Sequence, residues 1–249
     1  MPFESLKLLA KRLMPGSARN AIRSTRERRR LNRALKPLAS HGFFTDQEIA
    51  EFRSAWGNEG FSADRAYIAE VMRILIEQPG HVLECGTGAT TMLSGILAER
   101  NGFSVYSMEQ DPEWTTKIKG ILNDHGIRRV RILDGPLART DDYAWYDVPQ
   151  VAIPMHFSVV ICDGPYIAKE WGSEIYENWR YGILPWMKRT GRTFDVLILD
   201  DVDEPRSVPV IERWRREFGV SVQIINSGNG MHALIMQPKS PSPLSQINA

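Results

Sequence analysis

The segment His81-Val82-Leu83-Glu84-Cys85-Gly86-Thr87-Gly88-Ala89-Thr90-Thr91 constrains this chain more than any other. An apolar run ends in an acid, turns on two glycines and enters the apolar stretch Met92 to Leu97. Glycine allows positive φ and close backbone approach, so such a turn is a natural cradle for a nucleoside cofactor. The dinucleotide-binding pattern G-x-G-x-x-G fits poorly, because Thr91 stands where it wants glycine or alanine. Four further segments read as strands ending in acids: Phe103 to Glu109, Arg128 to Asp134, Phe157 to Asp163 and Phe194 to Asp201.

Between them the pattern changes to helical. Helices are expected at Thr90 to Arg100, Pro112 to Asp124, Ser173 to Lys188 and Glu204 to Phe218, which implies a parallel sheet covered on both faces. Before the first strand, Tyr67, Ile68, Val71, Met72, Leu75 and Ile76 form a stripe of helical period that stops at Pro79-Gly80. Thr45 and Glu48 have the spacing of a capping box. Val220 to Asn226 and Met231 to Gln237 flank Ser227-Gly228-Asn229-Gly230, a hairpin signal. The Pro- and Ser-rich end, 239–249, reads as a disordered tail.

Over roughly Asp64 to Pro238 the chain resembles the class I S-adenosylmethionine-dependent methyltransferases, in particular a small-substrate branch. The resemblance rests on Glu84, Gly86 and Gly88, on Val105 to Trp114, on Val159 to Pro165, on Arg180 to Pro185 and on Ile198 to Asp201. It departs from the commonest pattern at Thr90, where a third glycine often stands. It implies a doubly wound α/β fold, a mostly parallel seven-stranded sheet of order 3-2-1-4-5-7-6 with a terminal antiparallel hairpin. It also implies S-adenosylmethionine as cofactor, held by Glu84, Gly86, Thr87, Gly88, Thr90, Glu109, Gln110, Asp134 and Asp163. In that reading Glu109 takes the ribose hydroxyls and Glu84 orients the glycine turn and the methionine amino group. Asp134 either reaches the adenine amine or is a plain turn-former before Gly135-Pro136.

Asp163, Asp200 and Asp201 are the candidates for catalysis, because ligands of open parallel sheets bind beyond the carboxyl ends of the strands. Asp200 and Asp201 converge only if the strand has already become a loop, since neighbours on a strand face opposite ways. The trio leaves two roles open: a divalent-cation site of oxygen ligands, as in the catechol methyltransferases, or one raised-pKa base among repelling neighbours. The cation reading departs from that subfamily at Asp201, where its members carry asparagine. Tyr146, Tyr166 and Arg180 are expected to bind the acceptor, within an aromatic group that also holds Tyr143, Trp145, Trp171, Tyr176 and Trp179. His125, His156 and His232 read as structural. The reaction expected is O-methylation of a small-molecule or saccharide-like acceptor. The alternatives are an NAD- or nucleotide-dependent enzyme on the same sheet plan and a catalytically silent tethered binding module.

Charge is distributed unevenly. Residues 1–37 hold eleven Lys or Arg against Glu4 and Glu27, a balance of +9 in a chain whose net charge is +1. Phe3, Leu6, Leu9 and Leu13 recur at helical spacing beside Lys7, Lys11 and Arg12, describing a basic amphipathic helix suited to an anionic membrane surface. The same leucines also suit packing on the catalytic domain or on a second copy. Nucleic-acid contact through Arg26 to Arg30 is disfavoured by the acidic remainder and the lack of interleaved aromatics. The division expected is a basic helical arm at 1–62, the methyltransferase domain at 63–238 and the tail. Cys85 and Cys162 fall in strands and read as small apolar residues, which points to a reducing, cytoplasmic setting, with peripheral contact at the inner membrane surface through the arm. Neither a membrane span nor a secretory leader is indicated.

Overall fold

The computed structural model describes residues 16–57, 63–149, 153–226 and 230–238, with side chains from residue 25 onward. The strands are β1 (Val82–Cys85), β2 (Val105–Glu109), β3 (Val130–Asp134), β4 (Leu137–Arg139), β5 (Ala144–Tyr146), β6 (His156–Cys162), β7 (Thr193–Leu199), β8 (Ser221–Asn226) and β9 (Met231–Met236). Seven form one sheet in the order β3-β2-β1-β6-β7-β9-β8, and β4 and β5 form a separate antiparallel pair. Leaving out that small pair, the order is the expected 3-2-1-4-5-7-6. All neighbours pair in parallel except at β9, which is antiparallel to both β7 and β8.

The central strands are apolar nearly throughout because both faces of the sheet are covered. Val82, Val159, Ile161 and Ile198 face one layer, and Leu83, Val160, Leu197 and Leu199 alternate onto the other. The first layer contains helices α1 (Gly16–His41), α2 (Asp46–Trp56), α3 (Arg65–Glu77), α4 (Ala89–Asn101) and α5 (Pro112–Asp124). The second contains α7 (Ile183–Thr190) and α8 (Ser207–Phe218), whose Trp186 and Trp214 are fully buried, and the β4-β5 pair. A five-residue helix, α6 (Ser173–Glu177), precedes α7. Cys85 and Cys162 are register neighbours on β1 and β6, both buried and both free.

Three sequence expectations about element bounds need correction. The arm expected at 1–62 and the domain expected at 63–238 share one core: Leu31, Leu35, Leu38, Ile49 and Phe52 are buried in the same cluster as Tyr67 and Met92. Phe3, Leu6, Leu9 and Leu13 lie outside the described residues, as do the tail and the hairpin turn at 227–229. The helix expected at Ser173 to Lys188 is interrupted at 178–182. There the Asn178 side chain donates to the carbonyls of Glu174 (3.2 Å) and Asp142 (3.0 Å), satisfying the helix end and tying it to a neighbouring loop. Finally, β6 and β7 end at Cys162 and Leu199, and the last helix begins at Ser207, not Glu204. The segment from Asp200 to Arg206 is therefore loop. The capping box does form, with Glu48 N donating to Thr45 Oγ1 (3.3 Å) and Thr45 N to Glu48 Oε2 (2.7 Å).

Candidate functional site

β1 lies between β2 and β6, so the chain leaves it in opposite directions on its two sides. Ligands of doubly wound sheets bind at this reversal, beyond the strand ends. A cavity of about 920 Å³ opens there, and it is large enough for a cofactor and an acceptor together. Gly86 has φ +89, and its backbone meets Gly164 so closely that a Cβ on Gly164 would stand 3.1 Å from both Cys85 O and Gly86 Cα. The Gly164 amide donates to Cys85 O at 2.7 Å. Side chains at this crossing would fill the floor of the cleft.

On the β1-β2 side the cavity is lined by Gly86, Thr87, Gly88, Thr90, Glu109, Gln110, Asp111 and Trp114. Glu109 is buried and accepts four hydrogen bonds. Thr87 N (3.0 Å) and Thr87 Oγ1 (2.7 Å) reach Oε2, while Gln110 N (2.8 Å) and Asp111 N (2.9 Å) reach Oε1. Trp114 Nε1 donates to Thr87 O at 2.8 Å and so fixes the turn from a second side. The Gln110 amide pairs with the backbone of Tyr166 in both directions, at 3.0 Å each way, linking the end of β2 to the loop after β6.

Glu84 and Asp134 do not line the cavity. Glu84 is wholly buried behind the turn, where Thr90 Oγ1 (2.6 Å), Thr91 Oγ1 (2.7 Å) and Ser107 Oγ hydrogen-bond its carboxylate. Burial raises its pKa to about 7 against the pull of those three donors. Its hydrogen bonds tie the end of β1 to the first turn of α4 and to β2. Thr90 lines the cavity, but its hydroxyl is directed to Glu84. Asp134 lies out on the surface and pairs with Lys119 at 3.2 Å.

On the β6-β7 side stand Asp163, Asp200, Asp201, Asp203, Glu204, Trp179, Arg180 and Arg206. The strand has indeed turned by then: Asp201 has φ 52, a left-handed conformation, and its amide donates to Asp200 Oδ1 at 2.9 Å. Arg180, only 2% exposed, ties the two strand ends together. Its Nη2 reaches Asp163 Oδ1 (3.0 Å), Asp163 O (2.7 Å) and Asp201 Oδ2 (2.7 Å), while Nη1 donates to Asp200 O (2.5 Å). Its guanidinium carbon lies 3.8 Å from the centre of the Trp179 ring. Burial opposes the charge of Arg180, but Asp163 and Asp201 outweigh it and hold its pKa above the ordinary arginine value. Burial also raises Asp163, against the pull of Arg180. Asp200 is raised well above its ordinary value, first by burial and then by the neighbouring Asp163 and Asp201.

The trio therefore converges, but around a guanidinium. Among the described residues no three His, Cys, Asp or Glu side chains are arranged as a metal-ligand set, and the residues fit a divalent cation poorly because Arg180 already stands between Asp163 and Asp201.

Of the expected acceptor residues, Tyr146 and Tyr166 line the cavity with Arg180. Tyr146 is placed by the antiparallel β4-β5 pair. Trp145 lies in the core, and Trp171 and Tyr176 flank a small satellite cluster. Among the described residues no histidine lines the cleft. His156 bonds Asp195 and Thr193 at the far edge of the sheet, and buried His232 stacks edge-on against Tyr67. Residues missed from the sequence are Trp56, Asp64, Trp114 and Arg206. Trp114 carried a signal in the helix start Asp111-Pro112, whereas Arg206 carried none. Arg206 stacks over Trp179 (4.3 Å) and Tyr176 (4.1 Å).

No protein-family model matches the chain, and no curated protein matches it. Solved structures do. The S-adenosylhomocysteine-bound methyltransferase PaMTH1 of Podospora anserina superposes with a TM-score of 0.56 at 13% identity, covering 91% of this chain and 99% of its own. The N-terminal domain of human METTL16 in complex with S-adenosylhomocysteine superposes with a TM-score of 0.51 at 13% identity, covering 79% and 83%. Strand order, the glycine crossing at the reversal point and these superpositions agree: the chain has the fold of the class I S-adenosylmethionine-dependent methyltransferases.

Proposed function

We propose that this chain is an S-adenosylmethionine-dependent methyltransferase that methylates oxygen on a small-molecule or saccharide-like acceptor. The observation that carries the reading is one continuous cavity, with a Glu109 carboxylate and a glycine turn at one end and the buried Asp200 beside Asp163 and Asp201 at the other. The φ of Gly86 and its contact with Gly164 make a floor without side chains, and that fits a nucleoside. Gly86, Thr87, Gly88, Glu109 and Gln110 would hold S-adenosylmethionine, which when bound supplies a methyl group on a sulfonium. Two of the solved structures that superpose contain S-adenosylhomocysteine, which supports the choice of cofactor.

The chain's own residues then have to hold the acceptor oxygen in line and take its proton. Positioning is the larger part, because near-attack geometry removes most of the entropic barrier. Tyr146, Tyr166 and Trp179 offer faces for a ring-shaped acceptor. Asp200 is the residue suited to accept the proton. Asp163 and Asp201 are engaged by Arg180, and a carboxylate raised in pKa by burial is a stronger base once ionised. Isothermal titration with S-adenosylhomocysteine and with NAD tests the cofactor, and heat from NAD alone would overturn the reading. Labelled S-adenosylmethionine with cell extract, followed by mass spectrometry, identifies the acceptor. Label recovered on nitrogen or carbon would overturn the choice of oxygen.

A further inference from the structure

One of the two roles open for the acidic trio is a divalent-cation site like that of the catechol methyltransferases, and the residues here do not fit one. A single nitrogen, Arg180 Nη2, bridges Asp163 Oδ1 and Asp201 Oδ2. The same guanidinium binds the backbone carbonyls of Asp163 and Asp200, so it fastens the two strand ends as well as neutralising their side chains. Trp179 covers one face of it. A planar, permanently charged fork is suited to such a place, whereas an added dication would meet a buried positive charge among its would-be ligands.

We propose that the Arg180 guanidinium occupies the cation position of this site, so that Asp163, Asp200 and Asp201 are organised without a metal ion. Arg180 is then a positioning residue: it acts on the acceptor through the two strand ends it fastens, and so places Asp200 by its backbone and Asp163 and Asp201 by their side chains. This rests on the methyltransferase reading, but its test is separate from it.

The probe is Mn²⁺, followed by electron paramagnetic resonance of the full chain in the presence of S-adenosylhomocysteine. Wild type is expected to leave all Mn²⁺ free. Arg180→Ala, which uncovers the acidic trio, is expected to gain one site and to bind Mn²⁺ at least about tenfold more tightly, since oxygen-ligand sites follow ligand charge. Adding Asp163→Asn to that variant should abolish the gain. Arg180→Lys keeps the charge and should leave Mn²⁺ free.

Mn²⁺ bound by wild type and released in Asp163→Asn would overturn the proposal, as would a folded Arg180→Ala chain that gains no site. Thermal unfolding shows which variants fold. If Arg180→Ala does not, the wild-type and Arg180→Lys titrations decide: free Mn²⁺ in both supports the proposal, and Mn²⁺ bound by either through Asp163 overturns it. Loss of S-adenosylhomocysteine binding in wild type would count against the proposed function and leave the Mn²⁺ result standing.

Discussion

The Thr87 hydroxyl, in the turn after β1, donates to Glu109 at the end of β2 at 2.7 Å, and the Thr87 amide donates to the same oxygen at 3.0 Å. With Gln110 N and Asp111 N on the other oxygen, the carboxylate's lone-pair sites are all in use. A ribose diol reaching Glu109 must displace one of these donors, and the rotatable Thr87 hydroxyl is the one free to turn away. Glu109→Ala is expected to weaken S-adenosylhomocysteine binding by about 1.5 to 3 kcal/mol, the range for charged hydrogen bonds. Thr87→Ala should weaken it far less. Calorimetry of both variants checks this, and unchanged affinity in a folded Glu109→Ala chain would remove Glu109 from the site.

Glu84 should make stability depend on pH. Its carboxyl titrates near 4.5 when unfolded and at about 7 in the fold, so the folded state prefers it protonated. Below pH 4.5 that preference costs nothing. As pH rises from 4.5 to 7 the unfolded chain ionises first, and the contribution of Glu84 to stability falls, by a total on the order of 3 kcal/mol. Denaturant titrations of wild type and Glu84→Gln from pH 5 to 8 should show the difference between them moving against wild type. A difference that stays flat across this window would contradict the buried neutral carboxyl.

Gly164→Ala tests the crossing. The added carbon would stand 2.4 Å from Oη of the buried Tyr146 and 3.1 Å from Cys85 O and Gly86 Cα, which are backbone. A shift of the Gly86 turn is required. The expected result is a stability loss of about 1 to 3 kcal/mol, the usual cost of overpacking, together with weaker S-adenosylhomocysteine binding. Wild-type affinity would show that the cradle tolerates the shift.

The basic stripe of α1 is a separate matter. Leu31, Ala34, Leu35 and Leu38 face the core, while Arg26, Arg28, Arg29, Arg30 and Arg33 are exposed. We propose that this outer face holds the protein on anionic lipid, at roughly 1 kcal/mol for each basic residue near the surface. Deleting residues 1–37 would remove Leu31 and Leu35 from the core, so charge reversal at Arg26, Arg29 and Arg33 is the cleaner test. Wild type should sediment with anionic but not neutral vesicles. Release is expected as the Debye length falls from about 10 Å at 0.1 M salt to about 3 Å at 1 M. Equal sedimentation of the reversed variant would rule out this face, and a doubled hydrodynamic mass in wild type would assign it to self-association.

What the sequence determined by itself is whatever depends on near neighbours. The alternation of apolar strands with helical stripes gave a parallel sheet covered on both faces, the family resemblance implied the sheet order, and the carboxyl ends of the strands gave the edge where the cleft lies. The Thr45-Glu48 box and the glycine turn were legible because their partners stand within a few residues. What only the tertiary structure decided is which charge meets which. Arg180 contacts Asp163 and Asp201 across 17 and 21 residues, Glu84 turns inward to Ser107 across 23, and Gln110 pairs with Tyr166 across 56. A side chain's spacing in sequence says which face of its own element it occupies, but not what lies opposite. That is why an acidic trio that the sequence leaves open to either a metal site or a base is built around a guanidinium supplied by the break in a helix.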